Sequence, residues 1–229
     1  MSPSAVPDDP MSPLRGAPRL ARDSTARRST NGYSLIEVLV VMVVIGVAAA
    51  FAMPSMNRVL ASARVSSNAN ELLASLEYAR AEALGRNTLV VVCRVADPRA
   101  AVPACSSAAV GGIAGNDWAA GWIVYAKPQD AVAIGNYDAA TDQLLRRFEA
   151  SGLRPAGERT MIVAAPAPGT IGFAGSGLRF AAAGQVPVYT IDHRDPASPV
   201  DLTLARCVTL SVVGRVRAAK VAADGSCNA

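Results

Sequence analysis

The feature that most constrains this chain is Gly32-Tyr33-Ser34-Leu35-Ile36-Glu37, which runs directly into an apolar segment ending at Met53. Residues 38–53 carry no charged side chain. Tyr33 to Met53 is 21 residues, which as a helix reaches about 31 Å, close to one hydrocarbon core. A carboxylate at that depth costs several kcal/mol unless it is paired, and membrane carboxylates are usually functional. Glu37 therefore needs a partner or a task. The chain is 51% hydrophobic and only 17% charged, and much of that bias sits in this one stretch.

The flanks define its context. Residues 1–32 hold Pro3, Pro7, Pro10, Pro13 and Pro18 and end in a basic Arg27-Arg28 pair, with no periodicity. They read as a cytoplasmic leader, because Lys and Arg beside a first apolar segment are retained inside. Met11 is an alternative start. Ala48-Ala49-Ala50 and Ala52 keep a cleaved secretory signal as the competing reading. Net charge is +4, half of it in the leader, so charge balance alone implies no nucleic-acid partner.

Downstream, the pattern changes twice. Gly46 and Pro54 bracket a weaker helical stretch, and Pro54 predicts a kink. From residue 55 to 87, Leu72, Leu76, Ala79 and Ala83 recur at helical spacing, opposite Glu71, Glu77, Arg80 and Arg86. Gly85 and Asn87 are stop signals. β-branched runs follow, separated by Gly/Pro turns. Strands are expected at 88–94, 122–125, 144–149, 161–165, 170–173, 178–180, 186–191, 202–213 and 216–221. The class is α+β: one long helix, half transmembrane and half amphipathic, packed on an antiparallel β-sheet or β-sandwich head.

The cysteines Cys93, Cys105, Cys207 and Cys227 form no Cys-x-x-Cys and have no neighbouring His, which argues against zinc and thioredoxin-like chemistry. Two disulfides in an oxidising compartment fit better. Three connectivities are open, and proximity favours Cys93–Cys105 with Cys207–Cys227.

The motif Gly32-Tyr33-Ser34-Leu35-Ile36-Glu37, the apolar run, Gly46 and Pro54 together resemble the type IV pilin-like proteins. Trp118-Ala119-Ala120-Gly121-Trp122-Ile123-Val124-Tyr125, Cys93, Cys207 and Gly214-Arg215-Val216-Arg217 narrow the resemblance to the GspH/FimT minor pilins and pseudopilins, over residues 32–229. The resemblance implies a domain order. Residues 1–32 are a leader removed by prepilin peptidase after Gly32. Residues 33–54 form the transmembrane helix, 55–87 its amphipathic half, and 88–229 a periplasmic head. Tyr33, where Phe is usual, becomes the N-methylated amino terminus. Glu37 meets the amine of another subunit during filament assembly, and the Gly46–Pro54 region can melt and extend. The implied partners are other pilins, the peptidase, the inner-membrane assembly platform and inner-membrane lipid. No cofactor or metal is implied.

Arg215 and Arg217 are the cargo candidates. Two residues apart on a strand, they face one way about 7 Å apart, and paired guanidinium forks suit phosphates. Arg206 and Lys220 are expected to add charge nearby. Gly214-Arg215-Val216-Arg217 also resembles the Gly-Arg-x-Arg element of FimT-like pilins that bind double-stranded DNA during uptake. The competing class is a GspH-like pseudopilin of type II secretion that binds neighbouring pseudopilins or exported proteins. A third, an anchored periplasmic enzyme, lacks a catalytic constellation. His193 is expected in a surface loop with no Gly-x-Ser-x-Gly to support a triad. Asp138 and Asp142 lack the full calcium-binding ladder and read as a plain turn. Trp118 and Trp122 are expected to pack in the core.

Overall fold

The computed structural model describes residues 32–129, 131, 133–149, 158–166, 169–180 and 186–227, with the side chains of 51–55 left outside that description. The leader, except Gly32, lies outside the described residues, as does the side chain of Pro54. The chain divides into two units, one ending at Ala48 and the other covering Ala49–Ala229.

In the first unit, helix α1 (Leu35–Arg86) begins. The Ser34 carbonyl accepts the N–H groups of Glu37 and Val38 at 3.0 and 3.2 Å, which starts the helix. Glu37 therefore occupies the first turn, where the helix dipole favours a negative charge. Side chains from Leu35 through Ala50 are exposed. Among the described residues, no helix is long and apolar enough to cross a membrane. The apolar run enters residues 51–55, whose side chains are not described. The helix is one element through Gly46 and position 54.

In the second unit, Ala61, Val65, Ala69, Leu72, Leu76, Ala79 and Ala83 form a buried stripe at spacings of three and four. The helix stops at Arg86 because Asn87 turns left-handed, with φ 52°. Gly85 lies inside the helix, so of the two stop signals Asn87 is the one that acts.

Nine strands follow among the described residues: β1 (Val90–Arg94), β2 (Trp122–Ala126), β3 (Gln143–Phe148), β4 (Arg159–Ala165), β5 (Thr170–Phe173), β6 (Arg179–Phe180), β7 (Val188–Arg194), β8 (Arg206–Leu210) and β9 (Val216–Lys220). They make two antiparallel sheets, ordered β3-β2-β1-β5-β6 and β4-β7-β8-β9. One core joins the helix stripe to both sheets through Val90, Trp122, Phe173, Ile191, Val208 and Val216. Trp118 and Trp122 are fully buried there, as the sequence suggests. β1 is buried on both faces. Val91 and Cys93 point into a second cluster with Ile123 and Tyr125.

Two expectations are corrected. The apolar run 202–213 is not one strand. Residues 206–210 are β8, while Ser211–Gly214 form the turn into β9, closed by the Gly214 N–H to the Ser211 carbonyl at 3.0 Å. Val212 and Val213 made a turn look like a strand. His193, expected in a loop, is a residue of β7 and pairs with Thr160 of β4.

Buried polar groups fasten the loops. Arg94 is fully buried, and its guanidinium donates to the carbonyls of Ser106, Ala108, Ala114 and Asp117 at 2.7–3.3 Å. Burial lowers its pKa, with the Asp117 charge opposing. Asp117 Oδ2 pairs with Arg159 at 2.8 Å, and its Oδ1 accepts the N–H groups of Ala119 and Ile162. Both expected disulfides are formed, Cys93–Cys105 and Cys207–Cys227. The second anchors a small cluster with Ala205 and Val221 on the outer face of the second sheet.

Candidate functional site

Two places carry the candidate functional residues: the start of α1, and the end of the second sheet around β9. At the first, Gly32 precedes the helix and Tyr33 is exposed. Glu37 is exposed in the first turn, with no cation within ion-pair distance among the described residues. Among the described residues, the Glu37 carboxylate thus has no cationic partner. Gly46 lies in the helix with nothing within 4 Å of where a Cβ would stand.

At the second place, β8 and β9 form a hairpin. The Ser211 N–H donates to the Arg215 carbonyl at 2.9 Å, and the Arg215 N–H donates to Ser211 Oγ at 3.0 Å. Across the sheet, Val188, Thr209 and Arg217 stand in one register row. Arg215 and Arg217 are both exposed and line one groove of about 630 Å³ with Val186, Val188, Thr209 and Val212. Neither has a carboxylate within ion-pair distance among the described residues. The groove thus combines an aliphatic floor with two cations that have no carboxylate partner among the described residues. A phosphate or carboxylate fits the cations, and an aliphatic group fits the floor.

The structure does not bring Arg206 and Lys220 to that groove. They stand opposite each other in the β8–β9 register, in the alternate set that includes Val208 and Val216. Those two residues face the core, so strand alternation puts Arg206 and Lys220 on the opposite face from Arg215 and Arg217. Sequence proximity misled here because a period of two separates even from odd positions. Conversely, Arg80 and Arg179 come beside the turn: a Cβ added at Gly214 would lie 3.3 Å from Arg80 Nε and 3.5 Å from the Arg179 N. Arg80 belongs to the helix and Arg179 to the other sheet, so no local sequence signal links them to Gly214.

The remaining candidates are engaged in contacts within the fold. Asp142 is a buried acceptor, paired with Lys127 at 2.8 Å and accepting the Asp138 N–H at 2.9 Å. The Lys127 ammonium and the Asp138 N–H thus both engage the Asp142 carboxylate within the turn. His193 Nδ1 faces Thr160 Oγ1 at 3.1 Å, and its Nε2 faces Arg64 at 3.4 Å. Burial and the Arg64 charge lower its pKa. Among the described residues, no group of three or more His, Cys, Asp or Glu is placed to hold a metal.

A methylation-type motif opening a long helix that carries a two-sheet antiparallel head defines a type IV pilin-like subunit. Residues 27–53 match the prokaryotic N-terminal methylation motif, and residues 68–214 match the family described as type II transport protein GspH. The chain belongs to this GspH family of pilin-like structural subunits. Among solved structures it is similar to the type IV minor pilin FimU of Pseudomonas aeruginosa in two crystal forms. One is 18% identical, with a TM-score of 0.43, covering 67% of this chain and 91% of that one. The other is 20% identical at the same score, covering 67% and 86%. No curated protein matches it.

Proposed function

We propose that this chain is a minor subunit of a type IV filament machine, made as a prepilin and held in the inner membrane by residues 33–54. Prepilin peptidase removes residues 1–32 and Tyr33 is methylated. Residues 55–87 support a periplasmic head at 88–229, which enters a pilus or short pseudopilus near the tip. The span rests on the 21 largely apolar residues from Tyr33 to Met53. The observation that carries the assembly role is Glu37 in the first helical turn, with no cationic partner among the described residues. Cutting after Gly32 creates an amine about one turn away, and transferring the pairing to a neighbour's amine draws the subunit out of the membrane. Gly32→Ser blocks processing, and Glu37→Ala allows processing but reduces incorporation. Normal incorporation of both variants refutes the assignment.

For cargo, our reading is FimT-like: Arg215 and Arg217 contact the phosphates of double-stranded DNA. Its support is that both are exposed, side by side in one groove, and without a carboxylate partner among the described residues. With two phosphate contacts, binding is weak, sequence-independent and salt-sensitive, with log K falling against log salt with a slope of about −2. Tight capture then needs several copies or partner pilins. A salt series on wild type and on the Arg215→Gln/Arg217→Gln double variant tests this. No binding at low salt, or equal binding by the variant, ends the DNA reading. The aliphatic floor of the groove favours a second reading, a pseudopilin of type II secretion that holds neighbouring subunits or exported proteins.

A further inference from the structure

Two turns from different sheets meet in backbone contact beside the helix. The β8–β9 turn reaches the β5–β6 turn at Gly214, where an added Cβ would lie 2.4 Å from the Gly177 carbonyl oxygen. The same oxygen accepts a hydrogen bond from Arg80 Nε at 3.1 Å. Leu84 closes the other side, its Cδ2 2.9 Å from where a Cβ on Gly177 would stand. Three elements distant in sequence are thereby pinned at one point.

This junction leaves four aliphatic side chains turned to solvent: Leu84 at 51%, Leu178 at 50%, Val212 at 58% and Val213 at 53% exposure. Leu178 follows Gly177, and Val212 and Val213 precede Gly214. Scattered exposed aliphatics need no explanation, but four gathered at one junction do. Their combined open surface is on the order of 300 Å², a size that is often functional on a monomer. The charge here is cationic. Arg80 lies in the junction and Arg215 beside it, and neither has a carboxylate within ion-pair distance among the described residues. An apolar centre with arginine at its edge is the anatomy of a protein–protein interface. A nucleic-acid duplex satisfies the cations but leaves the aliphatic centre uncovered.

We propose that this junction docks a neighbouring subunit of the same filament, which presents an apolar projection flanked by Asp or Glu. The proposal rests on the filament reading above and names the surface that reading requires. Val212 and Val213 also border the arginine groove, so the test uses Leu84 and Leu178, which do not. A photo-crosslinking amino acid is placed at 84, at 178 and, as a control, at exposed Val102, in the full-length chain in its own cells. The expected result is a crosslink from 84 and 178, but not from 102, to a second protein carrying a prepilin motif. Adding Leu178→Asp to the chain labelled at 84 lowers the yield tenfold or more, because it sets a carboxylate against carboxylates, while DNA binding by the Arg215–Arg217 groove is unchanged. If the processed chain is recovered in sheared filaments but 84 and 178 crosslink to no subunit, or only to DNA or an exported protein, the docking surface is wrong and the filament reading stands. If the chain is not cut after Gly32 and is absent from filaments, both fail together.

Discussion

Gly214 offers the most direct test of how the head is held together, because two independent costs meet there. Its φ is +78°, and a Cβ at that position would approach the Gly177 carbonyl oxygen to 2.4 Å, against an ordinary contact of 3.4–4 Å. Placing a non-glycine residue in the left-handed region costs roughly 1–2 kcal/mol. The atom met is backbone, so one turn must move by about an ångström, and overpacking of this kind costs roughly 1–3 kcal/mol. Gly214→Ala is therefore expected to destabilise the head by about 2–5 kcal/mol. For a domain of this size that lowers the melting temperature by roughly 5–15 °C. Gly85→Ala is the matched control. Gly85 sits within α1 with nothing within 4 Å of its Cβ position, so helix propensity alone predicts a gain of up to about 1 kcal/mol. The assay is thermal and urea unfolding of the head from residue 56 onward, which retains every helix residue of the core, from Ala61 to Ala83. Equal melting of Gly214→Ala and wild type, or a loss in Gly85→Ala matching that in Gly214→Ala, refutes the contact argument.

Two further outcomes follow from the buried polar groups. Asp117→Ala strands the Arg159 charge and two N–H groups, a loss of roughly 3–5 kcal/mol. Asp117→Asn keeps an acceptor for the N–H groups and loses less, so urea midpoints should rank wild type, Asn, Ala, and a near-wild-type Ala variant contradicts the assignment. His193 has its pKa lowered by burial and by Arg64, with Glu158 and Asp192 opposing and the neutral Thr160 hydroxyl at its other nitrogen. The fold therefore prefers the neutral ring, and stability present above about pH 6.5 is lost as pH falls below it. Burial raises the pKa of Asp192, which acts in the opposite sense on acidification. Melting temperature should drop between pH 7 and 5.5 in wild type and drop less in His193→Gln. Parallel pH profiles of the two proteins would remove His193 as the cause.

Much of the architecture is legible in local pattern. The helix stripe from Leu72 to Ala83 and the β-branched runs are periodic signals, and periodicity follows from which face is buried. Both disulfides follow from proximity along the chain. The errors share a physical cause. Val212 and Val213 are apolar yet turn outward, because Gly214 bends the chain there. His193 reads as loop from its polar neighbours, yet it extends β7 because β4 supplies its pairing partner. Arg206 and Lys220 are close in sequence to the cargo candidates but on the other face of the sheet.

By itself, the sequence determines the processing motif, the lone carboxylate at the start of an apolar helix, the α+β class and the identity of the two exposed arginines. These depend on composition and spacing within short windows. Only the tertiary structure decides which cations share a face with Arg215 and Arg217, and that Gly214, Gly177, Arg80 and Leu84 meet at one junction. Such contacts bring together positions about a hundred residues apart. They are set by sheet register and by the close approach of two glycine-containing turns, which no local pattern encodes.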